Sequence, residues 1–162
     1  MIMAIRNIVT FGDDVLTKKC RPVEKFDERL NDLVNDLFET LYQSGGAGLA
    51  APQVGVLRRI AVIDIDENPI ELINPEIVET SGEIEDVEGC LSVPGENGLV
   101  KRPEYCKIRA QNRKGVWRFY EGTGLKARCF CHEIDHLDGI LYTDKQIKNL
   151  TAEEIKRLRE QD

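Results

Sequence analysis

The residues between Asp27 and Gly45 set the first constraint on the fold. Leu30, Leu33, Val34, Leu37, Phe38 and Leu41 recur at i, i+3, i+4, i+7, i+8 and i+11, which places them in one apolar stripe on an α-helix. Asp27 stands where it can cap that helix, and Gly45-Gly46 where the chain can leave it. A helix with a single apolar stripe must bury it against another layer. The next segments supply strands for that layer. RRIAVIDID (58–66) is a short β-branched run, and IELINPEIV (70–78) is another whose Pro75 demands an edge or a bulge. KIRAQNRKGVWRFYEG (107–122) predicts a hairpin turning at Lys114-Gly115, with Ile108 and Ala110 alternating on one side of the turn and Trp117 and Phe119 on the other. A second helix is expected from Thr123 or Gly124 to Leu137, closed by Asp138-Gly139. A short last helix begins at Thr151, with Glu154 completing a capping box. Helix, strands, then helix predicts an α+β fold, with antiparallel or mixed sheets packed around a central helix. The 162 residues fit one catalytic domain over 1–162.

Charge and composition narrow the function. The net charge is −7 and no basic run occurs, so direct nucleic-acid binding is not expected. No apolar run approaches the ~18 residues of a membrane helix, and the opening MIMAIRNIVTFGDD is too soon interrupted for a secretory signal. The five cysteines, Cys20, Cys90, Cys106, Cys129 and Cys131, are odd in number and irregularly spaced. That argues against a disulfide framework and for a reducing compartment, the cytosol, or an organelle if a transit peptide has been removed.

The chemistry concentrates in CHEIDH (131–136), which holds both histidines of the chain, His132 and His136. Four apart on a helix, they face one side and can share a metal ion. Glu133 lies about 100° round from His132, so it can flank the ion and take a proton from metal-activated water without ligating. Two imidazoles leave an ion underligated. Glu153 and Glu154 lie on a helix whose capping box already uses Glu154. Cys20 and Cys106 lack any special context, Cys131 points away from His132, and a helix does not readily aim Cys129, His132 and His136 at one ion. Cys90, in the bent stretch VEGCLSVPG, is the preferred third ligand. A thiolate with two imidazoles suits Fe(II), Zn(II), Co(II) or Ni(II) and leaves a position open for water.

A third stretch, GGAGLAAPQVG (45–55), lets backbone approach a ligand closely and offers Gln53, an amide that donates without titrating. With GAGLAAPQ (46–53), EGCLS (88–92) and HEIDH (132–136) in this order and spacing, and with FDERLNDLVNDLFETLY and INPEIVETSGE flanking them, the whole chain resembles the peptide deformylases. The resemblance implies hydrolysis of the formyl group from N-formylmethionyl nascent peptides, releasing formate. It implies Cys90, His132 and His136 as ligands of one divalent metal, physiologically Fe(II). Glu133 would be the general base and then proton donor, and Gln53 and the backbone N–H of Leu91 the oxyanion donors. Ala47, Gly48, Val87, Gly89, Arg102, Leu125, Arg128 and Cys129 would meet the substrate, with Glu88 and Asp135 orienting ligands.

Two positions depart from the family pattern. Ala47 stands for the usual Ile or Val, which motivates a rival reading as an amidase for a larger acyl group. Cys131 stands for the usual Gln, and if exposed it is an oxidisable thiol beside the site. From Asp144 onward the chain carries five basic and five acidic residues, so ribosome docking through a basic tail is not expected. Two more rivals are a non-catalytic binding protein and a closed structural zinc site with Cys129 as fourth ligand.

Overall fold

The computed structural model describes residues 4–161. In chain order its principal elements are α1 (Glu28–Ser44), β1 (Gly48–Ala50), β2 (Ile60–Ile65), β3 (Asn68–Ser81), β4 (Ile84–Cys90), β5 (Val93–Arg102), β6 (Tyr105–Gln111), β7 (Trp117–Thr123), α2 (Leu125–Leu137), α3 (Tyr142–Lys145), β8 (Lys148–Asn149) and α4 (Ala152–Glu160). One sheet runs β1-β2-β3-β6-β7 and a second runs β4-β5-β8. Every paired strand in both is antiparallel.

The five-stranded sheet lies between the two long helices, and β2 records this in its sequence. Ile60 and Val62 face the α1 stripe of Leu30, Leu33, Val34, Leu37 and Leu41, while Ala61 and Ile63 face Ala127, Phe130, Ile134 and Leu137 of α2. Alternate residues therefore serve opposite cores, so the buried run Ile60–Ile63 is apolar without alternating. Asp27 caps α1 as expected, its carboxylate accepting from Leu30 N–H at 3.1 Å, and Gly45 closes it at φ +75°.

Pro75 produces a bulge, and β3 is an interior strand. Its pairing with β6 shifts register between Ile73 and Glu76. Asn74, at φ +53°, bonds both the N–H and the C=O of Val23 through its side-chain amide, at 2.8 and 3.0 Å. The hairpin turning near Gly115 forms as read, with Ile108 and Ala110 buried and Trp117 and Phe119 exposed.

Along α2 only Leu125, Lys126 and Asp135 escape burial. Arg128, His132, Glu133 and His136 are thus polar groups inside a packed helix, and each needs a partner to offset its desolvation. The β4–β5 hairpin supplies most of them.

Candidate metal centre

α2 turns His132 and His136 to one side, and the end of β4 sets Cys90 against them. Cys90 Sγ lies 3.3 Å from His136 Nε2, and the two Nε2 atoms are 3.1 Å apart. A tetrahedral ion at ordinary metal–nitrogen and metal–sulfur lengths holds such donors roughly 3.3–3.6 Å apart. These two separations lie within a few tenths of an ångström of that range, and all three donor atoms lie within 4.8 Å of one another, so the set fits one divalent ion. Among the described residues this is the one cluster of three potential ligands, and Cys129 is not part of it. The closed four-ligand zinc reading therefore lacks its fourth ligand.

Glu88 organises the cluster from behind. Its carboxylate meets His132 Nδ1 at 2.5 Å and accepts from Arg102 Nη2 at 2.6 Å, Arg102 Nε at 3.1 Å and Arg128 Nη1 at 2.8 Å. With Nδ1–H pointing at Glu88, the ring of His132 would offer its Nε2 lone pair to a metal ion once the Nε2 proton is lost. Burial alone would raise the Glu88 pKa, but the hydrogen bonds from His132 and Arg102 hold it far below the usual carboxylate range. For His132, burial disfavours the charged ring, yet its contacts with Cys90 and Glu88 push its pKa up to about 10. Burial drives His136 the other way, well below its ordinary value.

Glu133 and Gln53 sit on the open side. Burial pushes Glu133 up to about 7, with the neighbouring His132 charge pulling against it. Its Oε1 is buried without a hydrogen-bond partner. Such an atom at the edge of a donor cluster suits a group that holds a proton only in passing. Its Oε2 lies 2.6 Å from where a Cβ on Gly48 would stand, so any side chain at position 48 would displace the Glu133 carboxylate. Gln53 is 1% exposed, and its orientation follows from its partners: Oε1 accepts from Ala50 N–H at 2.9 Å, so the NH₂ end faces Ser92 Oγ at 3.1 Å and Cys90 Sγ at 3.5 Å. Two residues join the site without having been expected there. Ser92 closes the EGCLS stretch, and its place in that motif is the signal that could have found it. Tyr142, which stacks on His132 at 6.4 Å between ring centres, carries no signal in the sequence.

A cavity of about 440 Å³ opens beside the cluster. Ala47, Gly48, Gln53, Val87, Gly89, Leu91, Leu125, Arg128, Cys129 and Glu133 all contribute to its wall. Arg102 does not. It is 3% exposed, absent from the cavity wall, and its guanidinium is taken up by Glu88 and by Asp135 Oδ2 at 2.6 Å. Its guanidinium lies behind the cluster, between Glu88 and Asp135. Arg128 reaches the wall, but its guanidinium is engaged by Glu88 and by the carbonyls of Val100 and Ile84, each at 3.0 Å. Cys131 is 5% exposed and turned into the core, where its Sγ lies 3.9 Å from Cys106 Sγ. An exposed thiol beside the site is therefore not what this residue provides.

The polypeptide deformylase family model matches residues 5–153. The chain belongs to the polypeptide deformylase family. It is 57% identical over 143 residues to peptide deformylase 1 of Clostridium acetobutylicum, covering 88% of this chain and 95% of that one. It is 54% identical over 157 residues to the peptide deformylase of Caldicellulosiruptor bescii, covering 97% and 95%. Among solved structures, a peptide deformylase from Legionella pneumophila superposes with TM-score 0.86 at 45% identity, covering 97% of this chain and 92% of that one. The Thermotoga maritima peptide deformylase gives TM-score 0.86 at 41% identity, covering 89% and 99%.

Proposed function

We propose that this chain is a single catalytic domain that hydrolyses the formyl group from N-formylmethionyl nascent peptides, using one divalent metal. The observation that carries the reading is the convergence of Cys90, His132 and His136 beside Glu133, with the Gln53 amide facing the same point. A divalent ion held by the three ligands supplies Lewis acidity and acidifies water. Fe(II) is the physiological ion we propose, with Zn(II), Ni(II) or Co(II) as substitutes that the same donor set accepts.

The side chains do the rest. Glu133 takes a proton from the attacking water as its oxygen adds to the formyl carbon. Gln53 Nε2–H and the backbone N–H of Leu91 donate to the oxyanion that develops. The C–N bond then breaks, Glu133 passes its proton to the leaving amine, and formate departs. Burial holds Glu133 near neutrality, where it can both accept and return that proton. Gly48 and Gly89 admit the peptide backbone, while Ala47, Val87, Leu125, Cys129 and the aliphatic stem of Arg128 receive the methionine side chain. A formyl carbon bears only hydrogen beside its oxygen and nitrogen, so a tight site rejects larger acyl groups.

The free cysteines favour the cytosol, and no described helix is long and apolar enough to cross a membrane. Any contact with the ribosome would not draw on residues 144–162, whose five basic and five acidic side chains cancel. Matched formyl-Met-Ala and acetyl-Met-Ala peptides test the reading. Formate release should far outpace acetate release, and faster cleavage of the acetyl peptide would sink it.

A further inference from the structure

The three ligands reach the centre from two elements. Cys90 ends β4, and His132 and His136 lie on α2. Glu88 of β4 bonds His132 Nδ1 and Arg128, both on α2, so it joins the two elements from behind, but it holds the His132 ring by one edge. The face of that ring meets Tyr142, the first residue of α3, with ring centres 6.4 Å apart and planes inclined by 22°. Tyr142 is also the aromatic member of a buried cluster with Val93 and Val100 of β5, and Cys90 packs against that cluster. One ring thus takes part in both supports, that of the thiol and that of the imidazole.

The segment that carries Tyr142 is pinned on either side of it. Ile140 N–H donates to the Asp135 carbonyl of α2 at 2.9 Å, and Ile147 N–H donates to the Leu99 carbonyl of β5 at 2.7 Å. The ring is 1% exposed, and a Cβ on Gly98 of β5 would stand 3.0 Å from its Cε2, so the strand passes close against it. Tyr142 Oη is buried without a hydrogen-bond partner among the described residues, so the ring and not the hydroxyl makes the contacts. Tyr142 is also absent from the cavity wall. We infer that Tyr142 is a positioning residue for the metal centre: its ring spaces the β4–β5 hairpin from α2 and so sets the distance between Cys90 Sγ and the two imidazoles. The inference rests on Cys90, His132 and His136 being the metal ligands, and it adds a residue that neither ligates nor meets substrate.

The spacing has little tolerance. Ligand distances in a well-formed site stay within about 0.2 Å of their ordinary values. Neighbours of a truncated core side chain relax partway into the space it leaves, and here those neighbours carry the donors. Tyr142→Leu and Tyr142→Met should therefore lower metal affinity by about 10- to 100-fold, as removal of other groups that orient ligands does. Tyr142→Phe keeps the ring and should keep the affinity.

Co(II), loaded anaerobically into the metal-free full chain, is the probe. Its d–d intensity follows tetrahedral character, and its sulfur-to-cobalt charge-transfer band follows the Cys90 bond. Affinity is read by chelator competition, at a temperature where circular dichroism shows every variant folded. Leu37→Ala, a truncation in the separate buried cluster against α1, controls for loss of stability alone. Tyr142→Leu and Tyr142→Met should bind Co(II) more weakly with both spectral features altered, while Tyr142→Phe and Leu37→Ala should give the wild-type spectrum and affinity. If Tyr142→Leu does not fold, Tyr142→Met and Tyr142→Phe decide. Wild-type spectrum and affinity in the folded Leu and Met variants overturn the inference, as does a Tyr142→Phe loss equal to theirs or an equal spectral change in Leu37→Ala. A wild type that binds no Co(II), or whose bound Co(II) shows no sulfur charge transfer, overturns the reading of the ligands itself, a distinct result.

Discussion

Replacing Glu88 with alanine removes the carboxylate on which three buried groups converge: His132 Nδ1, Arg102 and Arg128. Arg102 and Arg128 are 3% and 4% exposed and would be left with only Asp135 and two backbone carbonyls between them. Taking one partner from a buried ion pair costs about 3–5 kcal/mol, because the remaining charge stays desolvated. For a domain of this size that lowers Tm by roughly 6–20 °C. The loss should appear in urea unfolding of the metal-free protein, where ligand binding does not contribute. It also carries a pH signature. The folded pKa of Glu88 is depressed, so its contribution is complete above the unfolded value of about 4.3 and is lost as pH falls toward the folded one. The gap between wild type and Glu88→Ala should close in acid, and because Glu88 also helps raise His132 to about 10 it should narrow as well while pH climbs above the unfolded histidine value of about 6.5. Chelator competition should show metal affinity down about 10- to 100-fold, since His132 loses the group that fixes its ring. Glu88→Gln, which keeps the shape and drops the charge, should fall between the two. Wild-type stability and metal affinity in both variants would refute the role given to Glu88.

Two further outcomes follow from the same geometry. Gly48→Ala places a methyl group 2.6 Å from Glu133 Oε2, so the carboxylate must move; kcat should fall at least about tenfold with metal content unchanged, and an unaltered kcat would show that Glu133 has room to spare. Metal binding must strip the proton from His132, whose pKa is raised to about 10 in the metal-free protein. Affinity should therefore rise about tenfold per pH unit between pH 7 and 9, and calorimetry in buffers of different ionisation enthalpy should record the released proton; a pH-independent affinity would contradict that protonation state.

Local signals carry the sequence reading furthest. The α1 stripe, its Asp27 cap, the hairpin at Gly115 and the helical pair His132 and His136 are all written within a turn or two of chain, and all form as expected. Cys90 is legible because a thiol between glycine and a proline-glycine turn is unusual in a strand. The β4–β5 hairpin is not. Its segment IEDVEGC is acidic and mostly exposed, so it lacks the alternation that marks a half-buried strand. What holds it is distant: Arg102 of β5 joins Glu88 of β4 to Asp135 of α2. No spacing rule reveals such a partner; the family resemblance alone puts Arg102 at the substrate, and the fold sets its guanidinium between Glu88 and Asp135. Cys131 is the same kind of case, since its neighbour Cys106 belongs to another element.

The central claim is that Glu133 carries the proton in a metal-dependent deformylation. The direct measurement is formate release from a formyl-Met peptide by anaerobically prepared wild type and Glu133→Gln, with metal content determined on the same samples. The account predicts one metal per chain in both proteins, one formate per free amine from the wild type, and turnover lower by about 10²- to 10⁴-fold in the variant. Wild-type turnover by metal-replete Glu133→Gln would contradict it.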